Sequence, residues 1–348
     1  MTLKIIDGHS DLLSRSLNDE VLSSESFFTQ WQNCHLDFPR LLQSFVRVLI
    51  CAVFVPNPLS EQKESIETED GFRRPLANPI DKDYAQSETA KMLAIYSELI
   101  ERASGQFLPI TDCKTLDRVL EGEERGSVLM FEGADMIEPD LSNLEEYYNI
   151  GLRILSLTWS RKNSFATGVP YEFPGSPDQG PGLSDEGRAL VERCNSLGIL
   201  IDVSHLNAKG FWDVMKLAKL PVVATHSGVH AKCPCPRNLT DEQLRAIADT
   251  GGLVGVTFST SEIRSDGKLD VNTPVQAISE HVLHAIEVMG SEYVAFGSDF
   301  EGTIIPDEIQ DICGYNVLIN DLKGRKVGQE DLAKISFKNW RRVLGAIL

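Results

Sequence analysis

The 348-residue chain has no apolar run near the ~20 residues a membrane-spanning helix requires. Basic residues are scarce: 33 Lys and Arg face 51 Asp and Glu, a formal net charge of −18. That balance argues against a nucleic-acid partner or an anionic membrane surface. An anionic substrate stays open, because bound divalent cations would reverse the local field. The opening MTLKIIDGHS lacks the apolar core and small-residue cleavage site of a secretory signal. The cysteines are Cys34, Cys51, Cys113, Cys194, Cys233, Cys235 and Cys313, an odd and scattered set with no disulfide-framework pattern. A reducing, cytoplasmic setting is the simplest expectation. Cys233 and Cys235 form CPCP, but no second ligand pair stands at tetrahedral-site spacing, so the prolines suggest a stiff loop.

No GxGxxG follows the first apolar run, which weakens a dinucleotide-binding reading. Repeats, low-complexity tracts and dividing linkers are also lacking. One domain over residues 1–348 is therefore expected, with a Pro-, Glu- and Asp-rich excursion at 56–86.

What is present is a series of eight apolar, β-branched runs: KIID (4–7), FVRVLICAVFV (45–55), GSVLMFEG (126–133), LRILSLTW (152–159), ILIDVSH (199–205), PVVATHS (221–227), LVGVTFS (253–259) and YVAFGSD (293–299). Runs this continuous suit strands buried on both faces of a parallel sheet. Helical stretches lie between them. Ser184 is a plausible N-cap with Asp185 and Glu186 in the first turn, and Gly198 can close that helix. Thr240 and Gln243 have capping-box spacing. Residues 87–104, 207–219, 274–289 and 329–345 are further helices. The pattern predicts an α/β fold, a (β/α)8 TIM-type barrel, with a doubly wound open sheet as the alternative.

In such barrels the active site gathers at the C-terminal strand ends. Those ends carry His9 and Asp11, Glu132, Trp159, His205, His226, Ser259 and Asp299. Each has an ordinary reading, as a turn carboxylate or a capping histidine, but the ordinary readings require several separate accidents at one rim. Five of these side chains, His9, Asp11, Glu132, His205 and His226, exceed what one tetrahedral catalytic ion takes from protein. A carboxylate such as Glu132 can bridge two cations roughly 3.5–4 Å apart. His9 and Asp11 would complete one shell, and His205 and His226 the other. Imidazole and carboxylate without thiolate suit Zn2+, with Mn2+, Fe2+ or Co2+ as alternatives. Asp299 is then placed to take a proton from water and pass it to a leaving amine. Asp7 is expected to support His9 or the first turn.

The segments DGHSD (7–11), FEGAD (131–135), GLSDEGRALVERCNSLGILIDVSHL (182–206), PVVATHSGV (221–229), RNLTDEQLRAIADTGGLVGV (237–256) and GSDFEG (297–302) resemble the membrane (renal) dipeptidases and their bacterial relatives, within the amidohydrolase-like metal-dependent hydrolases. The resemblance implies that His9 and Asp11 hold one zinc, that Glu132 bridges, and that His205 and His226 hold the other. It implies that Asp299 transfers the proton and that Arg237 grips the substrate's terminal carboxylate, as a guanidinium can do bidentately. It also suggests a homodimer. Two departures stand out. Trp159 replaces a histidine of the mammalian enzymes that steadies the tetrahedral intermediate, and indole offers one N–H donor. Asn163, four residues on, or a metal could take over that stabilisation. Ser259 stands about where those enzymes have a substrate-contacting tyrosine.

The expected function is a dinuclear-zinc dipeptidase cleaving the amide of small dipeptides, including some with a carboxy-terminal D-residue. The alternatives are a lactonase, deaminase or amidase on the same barrel, or a metal-binding homologue without catalysis. Arg237 discriminates, because a substrate without a free carboxylate gives it little to do.

Overall fold

The computed structural model describes residues 3–18, 24–29 and 33–348. Its strands in chain order are β1 (Ile5–Ser10), β2 (Val46–Phe54), β3 (Ile66–Thr68), β4 (Gly71–Arg74), β5 (Phe107–Pro109), β6 (Arg125–Glu132), β7 (Leu152–Ser156), β8 (Tyr171–Phe173), β9 (Leu200–Asp202), β10 (Val223–Ser227), β11 (Leu253–Val256) and β12 (Val294–Phe296). Eight of them, β1, β2, β6, β7, β9, β10, β11 and β12, pair in parallel, and the β2–β6 and β1–β12 pairings close the ring. This is a (β/α)8 barrel. Each barrel strand overlaps one of the eight apolar runs, with β1 running three residues beyond its run to Ser10 and β6 starting one residue early at Arg125. Both faces of those strands are buried: Val48, Ile50 and Ala52 belong to one apolar cluster, and Leu49, Cys51 and Val53 to another. The second set packs with helix residues such as Met92, Leu99 and Leu190. The first lies on the opposite strand face, inside the ring, with Trp340 packed against it. A strand walled in on both sides has no polar positions to alternate, hence the unbroken runs.

The helix signals are realised locally. Ser184 caps Asp185–Leu197 by accepting from Gly187 N–H, and Gly198 ends it with φ +78°. Thr240 and Gln243 form the reciprocal capping box of Asp241–Asp249. The stretch expected as one helix at 329–345 is three pieces, Gln329–Ala333, a π-turn Lys334–Lys338, and Asn339–Leu344. Beyond the π-turn, Asn339 Nδ2 donates to the carbonyls of Ser291 and Val294, both at 2.8 Å. The excursion at 56–86 is not a bare loop. It carries the β3–β4 hairpin, which joins β8 in a small antiparallel sheet, and the helix Lys82–Arg102 begins within it, capped by Asp81.

Candidate metal centre

Backbone irregularity delivers the site residues. The register of β1 against β2 shifts between Asp7 and Ser10. Strict alternation is thereby broken. Asp7 is drawn to Ser298, accepting from its N–H (2.8 Å) and Oγ–H (2.6 Å), and more distantly from the His9 N–H at 3.5 Å. It thus ties the end of β1 to the end of β12. His205, Asp299 and Glu301 hold positive φ of 67°, 63° and 72°. That conformation is uncommon for any residue but glycine, less so for aspartate and histidine than for glutamate, and it tends to cluster at functional sites.

The centre is built on Glu132, 4% exposed. Its two oxygens face different groups. Oε2 lies 3.6 Å from His9 Nε2, while Oε1 lies 2.8 Å from His205 Nε2 and 3.4 Å from His226 Nε2. Three triplets each bring their ligand atoms within 4.8 Å of one another: His9, Asp11 and Glu132; Glu132, His205 and His226; and His9, His226 and Asp299. His205 Nε2 and His226 Nε2 converge to 3.1 Å.

The donor set fits divalent cations. His9 Nε2 is buried without a hydrogen-bond partner, yet Asp11 lies 3.7 Å away and Asp299 4.0 Å away. An orphaned imidazole nitrogen costs free energy unless something occupies it, and its place among three carboxylates suits a cation ligand. Burial works against a charge on His9, but Glu132 and Asp11 outweigh it and raise its pKa well above the usual 6.5. The field that favours a proton there would equally favour a metal ion. Burial holds His205 and His226 neutral, His205 down to about 3, with the Arg237 charge adding to the effect on both. Neutral imidazole is the ligating form. Burial, reinforced by Asp11, Glu132 and Glu262, raises the Asp299 carboxyl well above its usual range.

Each of these two imidazoles is oriented from behind. Ser160 Oγ pairs with His205 Nδ1 at 2.9 Å, and Thr225 Oγ1 with His226 Nδ1 at 3.0 Å. Thr225 is in turn held by Asp202, which accepts from its N–H (2.8 Å) and its Oγ1–H (3.0 Å). Asp202 is fully buried and also accepts from Ser156 and Ser204. Sequence reasoning missed Ser160, Asp202 and Thr225. The only trace of them is polar residues within apolar strand ends, as in IDVSH and VATHS.

A cavity of about 600 Å³ opens over the centre. Asp11, Glu132, His205, His226, Asp299, Arg237, Trp159 and Ser259 all line it. Arg237 is only 3% exposed, not on the surface. Its Nη2 donates to the His226 carbonyl at 3.1 Å, while Nη1 and Nε have no hydrogen-bond partner. Trp159 stacks near Phe54 (4.9 Å between centroids) and His205 (5.9 Å). Asn163 is a correction. Its Nδ2 donates to the Leu157 carbonyl, and its Oδ1 accepts from the N–H groups of Phe165 and Ala166. It faces a second cavity beside Asp135. Nδ2 also hydrogen-bonds the Asp135 carboxyl, so the amide has no donor left for a substrate oxygen at the metal centre. Cys233 and Cys235 are free and buried, consistent with the loop reading.

The sequence matches the profile described as "Membrane dipeptidase (Peptidase family M19)" over residues 1–347. The chain belongs to the M19 dipeptidase family. A crystal structure of a metallopeptidase from Rhodobacter sphaeroides, liganded with a phosphinate mimic of the dipeptide L-Ala-D-Ala, is 33% identical with a TM-score of 0.94 and covers 100% of both chains. The structure described as dipeptidase AC, an M19 metallopeptidase, is 34% identical, TM-score 0.94, covering 100% of this chain and 99% of the other. A Klebsiella pneumoniae protein described as "Uncharacterized protein in pqqA 5'region" is 43% identical over 254 residues, 73% of this chain and 94% of that protein. This M19 chain is accordingly a metal-dependent dipeptidase, a hydrolase. Despite the family's name, no helix among the described residues is long and apolar enough to cross a membrane.

Proposed function

We propose that the chain is a dinuclear-zinc dipeptidase that hydrolyses the single amide of small dipeptides, including those with a carboxy-terminal D-residue. The observation that carries this reading is the division of Glu132, one oxygen toward His9 and the other toward His205 and His226. His9 and Asp11 would hold one cation, His205 and His226 the second, and Glu132 both. When bound, such a pair supplies Lewis acidity, lowering the pKa of a water toward ~7.

The chain's own residues supply the rest. Arg237, buried in the cavity with Nη1 unengaged, receives the substrate's terminal carboxylate. Asp299 Oδ1, 4.0 Å from His9 Nε2 on the cavity wall, takes a proton from the attacking water and returns it to the leaving amine. Trp159, with Phe54, forms an apolar wall for a substrate side chain. The D-residue element draws support from the dipeptide mimic bound by the Rhodobacter relative.

The test combines metal analysis of the purified protein with a panel of L,L and L,D dipeptides. The expected result is two zinc ions per chain and turnover that disappears with a chelator and returns with zinc. A metal-loaded protein that cleaves nothing in the panel overturns the reading. Full turnover of the best substrate by Arg237→Ala would move the assignment to a hydrolase whose substrate lacks a free carboxylate.

A further inference from the structure

Beside Arg237 the cavity presents a second buried charge that the hydrolytic scheme does not use. Glu262 belongs to the short helix Thr260–Ile263 and is 4% exposed, yet it lines the cavity. Its Oε1 lies 3.5 Å from Arg237 Nε, and its Oε2 has no hydrogen-bond partner. A carboxylate kept only to steer a guanidinium would normally engage it through two short bonds. Here the contact is long, and Arg237 Nη1 and Glu262 Oε2 are both without a hydrogen-bond partner, on residues that line the same cavity. Burying a carboxylate oxygen without a donor is costly, and a cationic group brought into the cavity would supply one.

We infer that Glu262 selects dipeptides whose carboxy-terminal residue carries a cationic side chain, of the lysine or ornithine kind. The inference rests on the dipeptidase reading. Arg237 takes the α-carboxylate, and Glu262 Oε2, next to it, takes the amine of the same residue. One zwitterionic residue thus satisfies both members of the pair. The neighbouring wall suits such a side chain. Ser259 and Thr303 join their hydroxyls at 2.8 Å, and both line the cavity. Leu269 and Ile304, 58% and 40% exposed, line it too. Both lie in segments bonded to the Glu262 helix: the Thr260 N–H donates to the Ile304 carbonyl, and Thr260 Oγ1 accepts from the Asp270 N–H. Apolar surface for an alkyl stem and a buried anion for its tip are what a lysine-like side chain needs.

The test compares alanyl-lysine, alanyl-ornithine, alanyl-norleucine and alanyl-glutamate, with the second residue in L and in D form, on the zinc-loaded enzyme. Norleucine keeps the stem without the amine. The expected ratio of kcat/KM for lysine over norleucine is about tenfold or more, the worth of one hydrogen bond to a charged group, carried mainly in KM. Glu262→Gln should bring the ratio toward one, and Glu262→Leu should reverse it. A wild-type ratio near one overturns the inference, as does a ratio that neither substitution changes. Lysine and norleucine substrates falling in parallel in both variants would make Glu262 a positioning residue for Arg237 alone. Turnover of dipeptides without discrimination sinks only this inference, whereas no turnover at all sinks the dipeptidase reading with it.

Discussion

Ser160 and Thr225 meet the proposed ligands from behind, at the imidazole nitrogens turned away from Glu132, and that makes them the most telling residues to change. Each fixes which imidazole nitrogen points at the cavity, and Asp202 fixes Thr225. Removing such a support typically costs 10–100-fold in metal affinity. Thr225→Val or Ser160→Ala should therefore raise the zinc dissociation constant by roughly that factor. Competition against a chromophoric chelator would measure it, and unchanged affinity would mean the hydroxyls do not orient the rings. At this scale the sequence was legible for Asp11, Glu132, Trp159, His205, His226 and Asp299, which line one cavity, and for His9, whose Nε2 lies 3.6 Å from Glu132 beneath it. Asn163 was not, because its competing partners are backbone groups of its own turn and the Asp135 carboxyl. The burial of Arg237 was equally hidden, since an RNLTDEQ segment reads as polar surface.

Among the elements, β1 leaves no room for a side chain at its centre. Gly8 sits where a β-carbon would stand 2.8 Å from the carbonyl oxygens of Phe296 and Thr225 and from Trp340 Cζ2. Two of those three are backbone atoms that cannot rotate away. Gly8→Ala should cost about 1–3 kcal/mol by overpacking, seen as a lower urea midpoint, and should lower bound zinc because His9 is displaced. A variant with wild-type midpoint and zinc content would show that β1 has slack. The barrel strands were legible because double burial leaves continuous apolar runs, and the helix ends because caps act over three or four residues. The β3–β4 hairpin was not. Its strands are three and four residues long, and β3 is exposed throughout, so neither apolar length nor alternation marks it.

For the whole molecule, acid stability depends on buried histidines that fold neutral. His281 accepts from the Val229 N–H at Nδ1 (2.9 Å), which leaves Nε2 to donate to the Ile263 carbonyl (3.2 Å). Burial, aided by Lys232 and His284, lowers its pKa from 6.5 to about 4. Above 6.5 both folded and unfolded forms are neutral and nothing is at stake. Between 6.5 and about 4 the unfolded chain takes up a proton that the folded chain refuses. Stability must then fall as pH falls, by up to about 1.4 kcal/mol per unit for such a group. Urea midpoints of the zinc-free protein at pH 7.5 and 5 should separate, and His281→Gln should narrow the gap. An equal gap in the variant would assign the loss to other groups.

The sequence by itself determined the barrel, its eight strands, the best-marked helix caps and the list of residues able to ligate, because each is written in local periodicity or in residue type. The tertiary structure alone decided which of those residues meet, how Glu132 divides its oxygens, and that Glu262 faces the cavity beside Arg237. Those facts depend on distances between segments tens to hundreds of residues apart. Closure of the parallel ring sets such distances, and no local pattern records them.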